Sequence, residues 1–127
     1  MKSVWEKNTQ QTRFKALDNN KSTDVLIIGG GIAGILCAYK LKNAGVDCVL
    51  AEAAEICCGI TKDTTAKITL SHGLIYDKLI KLFGEDKARL YLEAQIRAGE
   101  EYANLCRDID CDYETKDFFV YSINNSK

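Results

Sequence analysis

Proline is missing altogether from this sequence of 127 residues, where average usage of about 5% would supply roughly six. Proline-rich spacers and collagen-like repeats are thereby excluded. Histidine occurs once, as His72, and the cysteines at 37, 48, 57, 58, 106 and 111 contain no C-x-x-C pair. A Cys/His zinc site would need a denser cluster, so no metal site is expected. Neither sign of charge is in excess: 17 basic and 18 acidic residues leave a formal net charge of −1. Such a chain has no field for gathering nucleic acid or anionic lipid, and neither is expected as a partner. Long hydrophobic runs are also wanting. The apolar stretch over residues 25–39 is broken by Gly29, Gly30, Gly31 and Gly34 and is too short to span a bilayer. The polar lead before Asp24 holds no apolar run of the kind a secretory signal needs, so a cytoplasmic location is expected. In that reducing compartment disulfides are not expected, and Cys37 and Cys48 read as small buried hydrophobes.

What is present is ordinary globular material, 46% hydrophobic and 28% charged, which argues against wholesale disorder. Residues 24–28 are a short aliphatic run, the pattern of a strand covered on both faces. Three glycines follow, and Ile32–Asn43 reads as a helix ending in Lys40, Lys42 and Asn43, with Gly45 just past its end. Residues 46–51 form a second strand closed by Glu52. Strand, helix and strand in about 30 residues make a βαβ unit, whose strands run parallel. Residues 53–73, rich in Gly, Thr, Ser and Ala, are a long loop with room for one helical turn. Helices are expected over 74–83 and 85–109, the second with a charged solvent face and an apolar stripe through positions 88, 91, 92, 98, 102, 105, 106 and 109. Residues 111–123 alternate and carry Tyr113, Phe118, Phe119, Val120 and Tyr121, which predicts two short strands joined near Lys116 and Asp117. The organisation expected is a polar lead (1–23), a partial nucleotide-binding α/β domain (24–110) and the first hairpin of a β-rich substrate domain (111–127).

Chemistry is concentrated at Gly29-Gly30-Gly31-Ile32-Ala33-Gly34, which fits G-x-G-x-x-G. The pattern is weak alone and gains weight from its setting after a strand, before a helix and 18 positions ahead of an acidic strand end. Gly29 allows the sharp turn, Gly31 admits a pyrophosphate to the backbone, and Gly34 lets the helix pack closely on the strand. The helix N-terminus offers unpaired N–H groups and a favourable dipole to phosphate. Glu52 is placed to accept hydrogen bonds from an adenosine ribose, and its charge would repel the 2′-phosphate of NADP, leaving FAD or NAD. A tight turn with no ligand is the competing reading. Cys57 and Cys58 are adjacent, a strained pairing, and read as loop packing.

The run 24–34, Glu52, and Gly59-Ile60-Thr61-Lys62-Asp63-Thr64-Thr65-Ala66-Lys67 together resemble the start of FAD-dependent oxidoreductases of the glycine oxidase/D-amino-acid oxidase superfamily. Thr64-Thr65-Ala66-Lys67, the segment 71–79, and the lead with Trp5 and Phe14 are similar to the branch whose complete members often end in a Rieske iron–sulfur domain. The resemblance implies a Rossmann-like FAD-binding domain, incomplete here, in an amino-terminal fragment expected to be inactive alone. It implies that Gly29, Gly31 and Gly34, with the backbone N–H groups of Ile32 and Ala33, bind the FAD pyrophosphate and that Glu52 holds the ribose. Gly59 and Thr61 would lie along the pyrophosphate; Thr64, Thr65 and Ala66 would approach the ribityl chain and flavin. For the three threonines, a loop bonded only to itself stays open. His72 is either an exposed residue at a helix start or, as the resemblance suggests, a catalytic candidate beside the flavin or a covalent attachment point.

The implied reaction oxidises the C–N bond of an amine or amino acid, with hydride passing to flavin and water hydrolysing the imine. A Rieske ligand set of two Cys and two His cannot be assembled around one histidine. Two other readings stay open: a non-catalytic remnant or interaction module that keeps the βαβ unit, and an NAD-binding module. A sheet edge left exposed would also invite self-association.

Overall fold

A computed structural model describes residues 3–8 and 12–121. The chain divides into two compact units, residues 1–66 and 67–127, with the boundary inside the expected 24–110 domain. Each unit is built from its own local rules.

In the first unit, a short helix α1 (Val4–Asn8) precedes strand β1 (Val25–Ile28), helix α2 (Ile32–Asn43) and strand β2 (Cys48–Ala51). The polar composition of the lead concealed α1. The strands pair in parallel, Val25 opposite Cys48 and Ile28 opposite Ala51. The expected βαβ unit is therefore present as a two-stranded sheet with α2 as its crossover. Lys40 and Lys42 sit in the last turn of α2, where the helix dipole favours positive charge. That turn closes on the N–H groups of Ala44, Gly45 and Val46, which donate to Lys40, Lys42 and Leu41 carbonyls at 3.0 Å each.

Helix α2 packs on one face of the sheet, and Ile27 on that face approaches Gly34. Val25 and Ile27 are half-buried, whereas Leu26 and Ile28 are exposed at 56% and 84%. This corrects the expectation of a strand covered on both faces: continuous aliphatic sequence reports capacity for two-sided burial, and one helix supplies only one side. The expectation that Cys37 and Cys48 are buried also fails in part. Cys37 is exposed on α2, while Cys48 is half-buried on β2.

The loop after β2 contains one 3₁₀ turn, Ile60–Asp63, as its composition allowed. In the second unit, α3 (Ile75–Phe83) and α4 (Glu85–Cys106) are joined by Gly84 and pack together. Tyr76 and Tyr91 meet edge to face with ring centroids 6.1 Å apart. Ala88 is the buried hydrophobic side chain among the described residues, at 6% exposure. An exposed Asp77–Lys81 pair one turn apart at 2.8 Å adds only a few tenths of a kcal/mol.

Helix α4 stops at Cys106 instead of running to 109, and the Ile109 N–H donates to the Cys106 carbonyl in a turn. Asp108 and Asp110 would place negative charge at the negative end of a longer helix, which opposes extension. The hairpin expected over 111–123 is not formed among the described residues, because 111–121 carry no strand; residues 122 and 123 lie outside them. An isolated two-stranded hairpin is marginal in water without a further strand or helix against its apolar face.

Candidate functional site: a glycine corner at the end of strand one

The corner begins where β1 ends. Gly29 adopts φ +107, a conformation that a side chain resists, and its N–H donates to the Ala51 carbonyl at 2.8 Å. The turn thus keeps the last sheet bond while redirecting the chain into α2. A Cβ on Gly34 would collide with the Gly29 carbonyl oxygen and lie 3.5 Å from Ile27 Cγ2, so helix and strand approach as closely as glycine permits.

Glu52 follows β2 directly, and its carboxylate points back at the corner. Oε2 accepts the Gly30 N–H at 2.7 Å and Oε1 accepts the Ala54 N–H at 2.9 Å. Those bonds, that from Gly30 foremost, hold its pKa below the ordinary glutamate range. Gly30, a free position of the G-x-G-x-x-G pattern, makes this contact possible. A Cβ there would stand 2.9 Å from Ile56 Cγ2 and 3.1 Å from Glu52 Cβ. The middle glycine of the row is the signal, hidden between the two motif positions that flank it.

Residues 53–61 then fold over the corner. Cys57, at φ +60, donates its N–H to the Gly30 carbonyl at 2.9 Å. Burial, then the neighbouring Cys58, pushes the Cys57 thiol pKa up, in keeping with a packing role. Thr61 reaches the start of α2, where its Oγ1 accepts the Ile32 N–H at 3.1 Å. The same oxygen is the atom that a Cβ on Gly31 would meet, at 3.3 Å. Around Gly31 the corner is therefore bare main chain faced by a hydroxyl, not a plug of apolar side chains. Gly59 precedes the 3₁₀ turn, with nothing within 4 Å of a Cβ built on it.

Farther along, the Thr64 hydroxyl accepts the Ala66 N–H at 2.8 Å, closing a local turn, and Thr65 is exposed. The Trp5 indole donates to the Thr64 carbonyl at 2.9 Å, tying α1 to this loop. No sequence pattern announced that anchor. Gly29, Gly31, Ile32, Ala33, Gly34, Glu52, Gly59, Thr61, Thr64, Thr65 and Ala66 all belong to the first unit. His72, exposed before α3, belongs to the second.

The corner combines main chain bared by glycine, a helix N-terminus and a carboxylate at the neighbouring strand end. Comparison with known proteins identifies the family. The model of a family described as FAD dependent oxidoreductase matches residues 24–126. The chain is 40% identical over 126 residues to YhfW of Bacillus subtilis (strain 168), which carries the name of a Rieske 2Fe-2S iron-sulfur protein; the match covers 98% of this chain and 25% of that protein. It is 31% identical over 109 residues to gamma-glutamylputrescine oxidoreductase of Escherichia coli (strain K12), covering 84% of this chain and 26% of the relative. The chain thus spans about a quarter of the length of these curated relatives. No solved structure matches it. With its family model running from the first residue before β1 almost to the end of the sequence, the chain belongs to the FAD-dependent oxidoreductase family known as DAO.

Proposed function

We propose that this chain is the FAD-binding part of an oxidoreductase that oxidises amines or amino acids, with a Rossmann-like corner as its nucleotide site. The observation carrying this reading is the Glu52 carboxylate fixed on the Gly30 N–H beside bare backbone at Gly31. The carboxylate oxygens accept the Gly30 and Ala54 N–H groups, with the Ala53 N–H adding a third, lesser contact, and keep acceptor capacity for a ribose hydroxyl. Thr61 accepts from Ile32 and so retains its O–H to donate to a phosphate oxygen. Gly29 and Gly34 set the approach of strand to helix; the Ala33 N–H lies at the helix start where anions bind, and the Ile32 N–H there is shared with Thr61. Gly59, Thr64, Thr65 and Ala66 extend the same loop toward the rest of an elongated ligand.

Bound FAD supplies the acceptor for a hydride from the carbon bearing the amine. The chain's own residues bind and orient that group. The name gamma-glutamylputrescine oxidoreductase refers to an amine derivative, which supports the substrate class. His72 is the catalytic candidate, as a group beside the flavin or a covalent attachment point.

A ligand that binds only the folded state raises its stability, by about 2.7 kcal/mol at a hundred times Kd. Excess FAD is expected to raise Tm and to lose fluorescence on binding, with NAD competing poorly. Unchanged Tm and fluorescence, both in this chain and in a chimera carrying the remaining three-quarters of a relative, would overturn the proposal in favour of a non-catalytic module.

A further inference from the structure

The turn that ends α4 brings two cysteines together outside the glycine corner. Chain direction reverses after Cys106: Arg107 donates its N–H to the Asn104 carbonyl, and Ile109 donates to the Cys106 carbonyl at 3.3 Å. Asp112 then takes φ +52. The result is that Cys111 returns to the end of the helix it has just left, into the wall of the same cavity as Cys106. Both line one open cavity of about 360 Å³ at the helix end, with Ala103, Arg107 and Tyr113 in its wall. Cys111 is exposed and Cys106 half-buried, both as free thiols.

We propose that Cys106 and Cys111 are a reversible dithiol–disulfide pair, a modification site that fastens the segment after α4 to the helix end when oxidised by a peroxide. The accessible Cys111 is the sulfur oxidised first. Its thiolate attacks one oxygen of hydrogen peroxide, the O–O bond breaks, and water leaves with a sulfenic acid on Cys111. The Cys106 sulfur then attacks the Cys111 sulfur, the S–O bond breaks, and a second water departs as the S–S bond forms. Two thiols lose two electrons and two protons; one peroxide takes them up as two waters. A dithiol reductant reverses the change by exchange. Burial, and after it the neighbouring Cys111, pushes the Cys106 thiol pKa up, in keeping with the second, resolving step rather than the first. The adjacent Cys57 and Cys58 offer no equal alternative, since neighbouring residues can close only a strained ring. Reversible bonds of this kind are those compatible with a reducing compartment.

Arg107 lies between the two cysteines, so trypsin separates them into peptides 98–107 and 108–116 that only an S–S bond can hold together. The purified chain is treated with a few equivalents of hydrogen peroxide, alkylated and digested without reductant. The expected result is a loss of two alkylatable thiols and a linked 98–107/108–116 pair that disappears with dithiothreitol. Cys106→Ser is expected to leave Cys111 as a sulfenic acid captured by dimedone, and Cys111→Ser to leave Cys106 alkylatable. Persistence of both thiols, overoxidation of Cys111 without linkage, or preferential linkage to other cysteines or between chains in the wild type overturns the proposal. The readout needs no bound flavin, so it succeeds or fails independently of the nucleotide-site reading.

Discussion

Gly34 shows how one missing side chain can set a fold. A Cβ there meets the Gly29 carbonyl oxygen, and neither the turn at Gly29 nor the sheet bond behind it can easily yield. Gly34→Ala is expected to destabilise the first unit by about 1–3 kcal/mol, measured by denaturant titration. Glu52 makes a different prediction. Its pKa is lowered in the folded chain by the Gly30 and Ala54 N–H groups, so the folded state favours the carboxylate. That stabilisation is complete above the unfolded carboxyl's range and fades as pH falls through the lower folded value. Glu52→Gln should therefore remove part of the acid-side slope of stability while changing little with pH in the neutral range; identical acid slopes in both proteins would refute this. On the proposed nucleotide reading, the same substitution weakens FAD by about tenfold or more, through lost charged hydrogen bonds, in a fluorescence titration.

At the scale of elements, the βαβ unit and the α3–α4 pair rest on different devices. Helix α2 carries Ile32, Ala33, Ile35, Leu36, Tyr39 and Leu41 around its circumference, a composition suited to more than one packed face. The α3–α4 connection depends instead on Gly84, whose φ +84 and ψ 166 belong to a region essentially confined to glycine. Gly84→Ala is expected to cost about 1–3 kcal/mol and to lower the melting temperature of the helical circular dichroism signal. Retention of the wild-type melt would show that the helices do not require that turn. The segment 111–121 teaches the converse. Alternating sequence marks what could be a hairpin, but backbone pairing waits on a covering layer.

Across the whole molecule, the described residues leave much apolar surface in water, including Leu26, Ile28, Phe118 and Phe119. No helix among them is long and apolar enough to cross a membrane. Both outer edges of the two-stranded sheet are also unpaired among the described residues. Such edges and patches favour contact with another chain. Sedimentation equilibrium is expected to show a weight-average mass rising with concentration, and Ile28→Lys should reduce the rise. A strictly monomeric wild type across the accessible range would exclude this self-association.

Local grammar was legible without coordinates: the aliphatic strand, the glycine row, Ile32–Asn43 as a helix, and the stop at Gly84. Each is decided within a few residues by backbone freedom, side-chain shape and periodicity. The contacts that turn this grammar into a site span 22 positions from Gly30 to Glu52 and 29 from Ile32 to Thr61. They required the loop after β2 to fold back, and periodicity carries no record of where a loop returns. The same holds for Trp5 on Thr64 and for Cys111 in one cavity with Cys106. Chain composition determined which groups were available; the folding of irregular backbone determined which of them met.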